Sequence, residues 1–165
     1  MVKLLGSLCI LSGGAIARWV QISERRRRQD ALADLLTALR RMGEEIRMAR
    51  TALPDLLEGL SGDCGADAAA FFQTVAAAAR RGEDLAQVWA AAAAALPLSP
   101  GDRTSLQPLG KDLRGDEEKV CKAISLVIYS LAKSAEEQER RRPAEERRAT
   151  ALCFSAAALL VILLI

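Results

Sequence analysis

The chain of 165 residues contains no histidine. Histidine is the side chain that changes charge near neutral pH and the commonest metal ligand in proteins. The sequence also lacks a Walker-type phosphate loop, an HExxH motif and a nucleophile elbow. These absences argue against an enzyme, and we expect no catalytic residue, no cofactor and no metal site.

Cysteine is also scarce, with four residues in the chain. Cys9 and Cys153 lie in apolar segments at the two ends, which leaves Cys64 and Cys121 between them. Two unpatterned cysteines do not form a disulfide framework. Cys64 follows Asp63 in a glycine-containing loop, but a single thiol without a neighbouring base is not an activated nucleophile. We expect reduced thiols without a catalytic role.

Aromatic residues make up only 4% of the chain, although hydrophobic residues make up 51%. The excess is alanine, the strongest helix former. Lys and Arg number 23 against 21 Asp and Glu, so the net charge is +2. A net charge this small creates no overall electrostatic field that would attract nucleic acid. The composition therefore predicts an all-α protein that binds no nucleic acid.

The N-terminal segment 2–22 is predicted to be a transmembrane helix. Its charges are Lys3 and Arg18, and at ~1.5 Å per residue it is long enough for a hydrocarbon core of about 30 Å. Trp19 suits the headgroup region, where Arg18 can also extend its charge. Because positive residues stay on the cytoplasmic side, four consecutive arginines are predicted to determine the topology: Arg25, Arg26, Arg27 and Arg28.

A cleaved signal peptide is the alternative interpretation of this segment. Lys3 would form the charged region, residues 4–11 the apolar region, and residues 15–17 have the A-x-A form of a cleavage site after Ala17. Arginines so soon after the cleavage site would oppose export, which favours retention. A lipoprotein modified at Cys9 is disfavoured because the bulky Leu8 precedes that cysteine.

The C-terminal segment 149–165 carries no charge and is predicted to be a second transmembrane helix. A buried helix of a soluble core is the alternative, but residues 159–165 are apolar on every side. Five arginines precede the segment and are predicted to hold this end in the cytoplasm: Arg140, Arg141, Arg142, Arg147 and Arg148. Residues 24–148 would then form a cytoplasmic helical domain anchored at both ends.

The first helix of this domain is predicted over 24–49, with apolar residues at steps of three and four. Leu53-Pro54 ends that pattern, and Pro54 can open a short helix over 55–60. The expected buried stripe consists of Leu32, Leu35, Leu36, Leu39, Met42, Ile46 and Leu53.

Two further helices follow a loop at 61–65. The first is predicted over 66–81, ended by Gly82 in the C′ position. The second starts at an Asp84–Gln87 capping box. Their expected buried residues are Phe71, Phe72, Val75, Leu85, Val88, Trp89, Ala92 and Leu96.

A fifth helix is predicted to begin with Ser99 as N-cap and Pro100 as first residue, and to run through Leu106. Pro108, Gly110 and Gly115 are expected to keep this helix short or irregular. A sixth helix begins at Asp116, whose acidic neighbours explain the local carboxylate cluster without catalysis. Pro143 is expected to kink or restart it. The expected buried residues of this helix are Val120, Ile124, Val127, Ile128, Leu131 and Ala135.

The order of these features resembles the stage III sporulation protein AB family. The resemblance rests on the opening Met-Val-Lys-Leu-Leu-Gly, the arginine-rich exit, Leu53-Pro54, Leu109-Gly110 before Asp116-Glu117, and the ending Leu-Leu-Val-Ile-Leu-Leu-Ile. It covers nearly the whole chain, with departures at Arg114 and Cys121. That family is similar to the cytoplasmic domain of type II secretion inner-membrane platform proteins, so the resemblance implies a six-helix bundle.

The resemblance also implies a non-enzymatic platform in a secretion-like channel needed for endospore formation, in the mother-cell membrane around the forespore. Its implied partners are membrane lipid, other membrane subunits of that channel and an ATPase-like cytoplasmic subunit. On residue patterns alone, the prediction is a membrane-tethered helical adaptor. The alternative function is a membrane-tethered regulatory or ligand-sensing domain, for which the Cys64 loop would supply the polar groups.

Overall fold

The structure, a computed structural model, describes the backbone of residues 2–48 and 51–164 and the side chains of residues 19–48 and 51–140. The described residues form helices and connecting turns without a strand, which confirms the all-α prediction. The helices are α1 Val2–Met48, α2 Leu53–Ser61, α3 Ala66–Arg81, α4 Leu85–Ala95, α5 Pro100–Leu106, α6 Leu109–Asp112 and α7 Glu117–Leu164.

The chain divides into two compact units, Met1–Leu131 and Ala132–Ile165. The first unit contains α1 to α6 and the start of α7, and it holds the buried core. The second unit is helical, and the Arg140 guanidinium donates to the Glu136 carboxylate four residues earlier at 2.7 Å. Such an i,i+4 pair is typical of a solvated, charged part of a helix.

Helix α1 joins the predicted span and the first predicted domain helix without a break. No proline lies between its ends, and alanine, leucine and arginine are strong helix formers. Its continuation into α2 is interrupted before Leu53-Pro54, as predicted. Ala52 is extended at the N-cap of α2 and Pro54 lies in that helix's first turn.

Helix ends in the middle of the chain follow the predicted caps. Gly82 ends α3 in the left-handed region at φ +70°. The Asp84 carboxylate accepts from the Ala86 N–H at 3.1 Å at the start of α4. Ser99 Oγ accepts from the Asp102 N–H at 3.2 Å and donates to the Asp102 carboxylate at 2.6 Å, so both side chains of this cap are satisfied.

Helix α6 is an addition to the six predicted domain helices. Pro108 precedes it, and the Leu113 N–H donates to the Leu109 carbonyl at 3.1 Å, which closes its turn. Gly110 lets this turn approach α4, because a Cβ atom at Gly110 would lie 2.5 Å from the Cβ of Trp89. Helix α7 runs through Pro143 as one helix, so the expected restart at that residue was wrong.

Packing runs from helix to helix along the first unit. α1 packs on α2 and α3, α2 on α3, α3 on α4, and α4 on both α5 and α6. The start of α7 is fixed by buried side chains and by the hydroxyls of Ser105 and Ser130, 2.9 Å apart. The largest fully buried side chains are Leu35, Leu39, Met42, Leu57, Leu60, Phe72, Val75, Trp89, Leu106, Leu109, Ile124 and Leu131.

The predicted stripes are largely confirmed by this core. The differences lie at helix edges, where six expected core residues are only half-buried. These are Ile46, Leu53, Val88, Ala92, Ile128 and Ala135. Each of them lies at the border of a buried stripe or at a helix end, where fewer neighbours are available to cover the side chain.

Within the part of the chain described in full, no helix has an apolar segment long enough to cross a membrane. Except for residues 19–22, the predicted spans 2–22 and 149–165 lie outside the residues whose side chains the structure describes.

Candidate interaction surface

The arginine block predicted to determine topology is exposed along α1, and one of its members contacts the bundle. The Arg27 guanidinium donates from Nε and Nη2 to the Asp67 carboxylate at 2.7 and 2.6 Å. Asp67 lies in the first turn of α3, where the helix dipole also favours a negative charge. The hydrogen bonds from Arg27 lower the pKa of Asp67. This bidentate pair ties α1 to the start of α3.

The α2–α3 loop is held against the same helix by two further contacts. The Asp34 carboxylate accepts from the Gly65 N–H at 2.9 Å, and Arg41 pairs with Asp63. A Cβ atom at Gly65 would lie 2.6 Å from Asp34 Oδ2, so glycine permits this close approach. The Asp63 carboxylate and the Gly65 N–H are therefore engaged by α1.

Cys64 is half-buried in this loop. Burial raises the pKa of its thiol, and the nearby charges of Asp34 and Asp63 raise it further. A thiol with a raised pKa is largely protonated near neutral pH and is a weak nucleophile. Among the residues that the structure describes, no group of three acidic or thiol side chains is placed to hold a metal ion.

Helices α2 and α3 are joined by a third ion-paired cluster. Arg80 near the end of α3 pairs with Glu58 and, at 3.2 Å, with Asp55 in the first turn of α2. Half of the Arg80 side chain remains exposed. Three arginines of α1 and α3 therefore connect separate elements of the bundle. Sequence periodicity did not predict these pairs, because the partners lie 22 to 40 residues apart.

The acidic cluster predicted near Gly115 lies at the start of α7. Asp116, Glu117 and Glu118 are exposed, and with Arg47 they line a shallow hollow. The Val120 N–H donates to the Asp116 carbonyl at 3.0 Å, so Asp116 sits at the helix start as expected. Buried side chains do not enclose these carboxylates, and their role at a helix N-terminus accounts for them.

An exposed apolar pair on α7 is the feature that sequence reasoning missed. Leu126 is 63% exposed and Tyr129 is 71% exposed. They lie three residues apart, so they are neighbours on the helix surface. The signal available in the sequence was their offset from the buried stripe of Val120, Ile124 and Val127, which leaves two large apolar residues without a place in the core.

The second predicted arginine cluster is only partly described. Arg140 is exposed and pairs with Glu136. The side chains of Arg141, Arg142, Arg147 and Arg148 lie outside the described residues.

Comparisons with known proteins agree on one family. A family model described as stage III sporulation protein AB matches residues 3–165. A solved structure of a stage III sporulation protein AB is similar at a TM-score of 0.64 and 20% identity, over 71% of this chain and 97% of that one. At that identity the likeness shows the fold. No curated protein matches the sequence.

Proposed function

Since the chain belongs to the stage III sporulation protein AB family, we propose that it is a non-enzymatic, membrane-anchored platform of a secretion-like channel complex needed for endospore formation. The platform would bind an ATPase-like subunit on its cytoplasmic side and other membrane subunits at its spans. A change in the position of one partner would pass through the helices to the other.

The observation that carries the proposal is the extent of the family match. It runs over residues 3–165 and so includes both apolar terminal segments together with the helical unit between them. We infer one role that uses all three parts. A helical domain attached to a membrane at two points suits an assembly platform better than a freely diffusing factor.

Membrane attachment is supported by side chains at the described end of the first predicted span. Trp19, Val20 and Ile22 are large, apolar and exposed. Exposed arginines follow them at Arg25 to Arg28. A tryptophan beside basic residues is typical of a helix leaving the headgroup region.

A non-enzymatic role is supported by the available chemistry. The chain has no histidine to act as acid or base, and the raised pKa of Cys64 makes that thiol a poor nucleophile. Arg27, Arg41 and Arg80 pair with acids on another helix or on the α2–α3 loop. They stabilise an arrangement of helices that could present a binding surface.

The test is a deletion of the gene in the sporulating organism combined with purification of the tagged full chain. We expect the deletion to stop endospore formation, and the full chain extracted in mild detergent to co-purify with membrane subunits and an ATPase-like subunit. The control strain carries the variant Thr104→Ala, which changes one exposed side chain. It should form endospores normally and retain both classes of subunit. Normal endospores in the deletion strain would contradict the proposal, as would purification of the full chain without either class of subunit.

The topology is tested by cysteine labelling of intact cells. Cys64 is half-buried and Cys121 is buried, so neither is a suitable reporter. All four native cysteines are replaced by serine, and a single reporter cysteine is placed at exposed Gln107. We expect an impermeant reagent to label the reporter only after the cells are permeabilised. Labelling of intact cells would place the domain outside and refute the cytoplasmic assignment.

A further inference from the structure

We propose that four exposed residues of α7 form a docking site for an acidic amphipathic helix of a partner subunit. These residues, called here the α7 stripe, are Lys119, Lys122, Leu126 and Tyr129. The partner helix would place apolar side chains on Leu126 and Tyr129 and carboxylates beside the two lysines. The inference rests on the proposed platform function, because it names the chemistry of one of the platform's protein partners.

The spacing of the stripe places its members on one face. Steps of three, four and three residues separate them, and a helix turns by about 100° per residue, so they fall within an arc of roughly 80°. The buried residues Ile124 and Val127 lie outside that arc. The stripe is therefore a continuous surface of α7 that the first unit leaves uncovered.

The apolar part of the stripe lacks the explanations that apply to other exposed apolar residues of the described chain. Trp19, Val20 and Ile22 adjoin the predicted span, and Met48 is the last residue of α1. Leu126 and Tyr129 instead lie well inside a helix. Tyrosine is a frequent anchor of protein interfaces, since it supplies contact area with few rotatable bonds.

The charge of the stripe identifies the partner's chemistry. Lys119 and Lys122 are exposed, and Lys122 lines the same hollow as Asp116, Glu117 and Glu118. Within the described part of the chain, neither ammonium group lies within ion-pair distance of a carboxylate. Arg27, Arg41 and Arg80 differ, because each of them pairs with an acid. A complementary surface would therefore supply Asp or Glu at the positions facing the lysines.

Two other occupants fit less well. Anionic lipid is usually recognised by clusters of about four to eight basic residues, whereas this stripe has two. A second copy of the chain would bring the same stripe, which contains no carboxylate. A partner helix of about three turns, with acidic residues towards one end and apolar residues towards the other, matches both halves of the surface.

The experiment uses the full chain in sporulating cells, with a photoreactive amino acid placed at Leu126 or at Tyr129. A probe at exposed Gln107 is the control position. We expect protein adducts from both stripe positions and none from Gln107, and mass spectrometry of the adduct should identify a helical segment with apolar residues flanked by Asp or Glu.

Charge reversal tests the lysines. The double variant K119E/K122E should lower the adduct yield at least about tenfold, since like charges would then face each other. The matched variant Lys111→Glu changes an exposed lysine of α6 and should leave the yield unchanged.

Adducts with lipid, with a second copy, with a basic segment or with no partner would overturn the inference, and so would an unchanged yield in K119E/K122E. In those cases the platform function stands if the full chain still co-purifies with its subunits and the deletion still blocks endospores. If deletion and co-purification also fail, the platform function is refuted together with the docking site.

Discussion

The surroundings of Trp89 and the surface around Arg27 hold helices together by opposite means. Trp89 is fully buried, its ring meets that of Phe71 edge-on at 4.8 Å, and its Nε1–H donates to the Leu106 carbonyl at 2.9 Å. Arg27 remains 66% exposed while it pairs with Asp67. Burial stabilises the first region strongly, whereas solvent screens the second. The comparison suggests that the core sets stability and the ion pairs set helix alignment.

The largest effect is expected from Trp89→Ala, which breaks the buried region. Removing the ring leaves a cavity and an unpaired Leu106 carbonyl, so the free energy of unfolding should fall by ~3–5 kcal/mol. Thermal unfolding of the full chain in detergent, followed by far-UV circular dichroism, measures the change. Trp89→Phe keeps a ring and should lose less. Equal losses of stability in the two variants would show that packing of an aromatic ring at this position contributes little.

The second effect is expected from Gly110→Ala, which overfills the same region. The added methyl would lie 2.5 Å from Trp89 Cβ and 2.7 Å from Cγ. We expect a loss of ~1–3 kcal/mol, as for other overpacked cores. Gly59→Ala in α2 is the matched control, because its Cβ would meet no atom within 4 Å. A loss in the control as large as that in Gly110→Ala would contradict the steric explanation.

Gly82→Ala should have a smaller effect, because it strains the backbone without touching the core. Gly82 has a φ of +70°, and an added Cβ would meet nothing within 4 Å. The left-handed conformation costs a non-glycine residue ~1–2 kcal/mol. Asn tolerates that conformation better, so Gly82→Asn should recover part of the loss when both variants are unfolded thermally. Equal stability of the two variants would argue against backbone strain.

The smallest effect is expected from Asp67→Asn, which breaks the exposed region. Because the folded pKa of Asp67 is lowered by Arg27, the pair stabilises fully above the unfolded carboxyl pKa of about 3.9 and loses this contribution as the pH falls through the folded pKa. The difference in melting temperature between the wild type and Asp67→Asn should therefore shrink on acidification and at high salt. Glu137→Gln, at an exposed residue of α7, should show neither dependence. A difference independent of pH and salt would contradict the assignment.

Sequence reasoning predicted the features that depend on neighbours along the chain. Leu35, Leu39 and Met42 followed from helical periodicity. Gly82 and Ser99 followed from the residue preferences of helix ends, which local backbone sterics and unpaired N–H groups determine. These signals need no knowledge of tertiary structure.

The surface features depend on contacts that the sequence does not order. Arg27 was assigned to membrane topology, and its pairing with Asp67 requires α1 and α3 to lie side by side. Helix α6 was missed because its place is set by the approach of Gly110 to Trp89, a contact across 21 positions that no local pattern encodes. Leu126 and Tyr129 were unassigned because periodicity describes the buried face and gives no role to apolar residues outside it.

The continuity of α1 from Val2 to Met48 fixes the phase of its N-terminal part relative to its core residues. Each inserted residue would rotate everything before it by about 100° around the axis and lift it by ~1.5 Å. One extra alanine between Arg28 and Ala31 would therefore turn Arg27 away from Asp67 while leaving Leu35 in the core. An insertion of seven residues, close to two full turns, would nearly restore the original orientation. The length of this helix, and not only its composition, is expected to be under constraint.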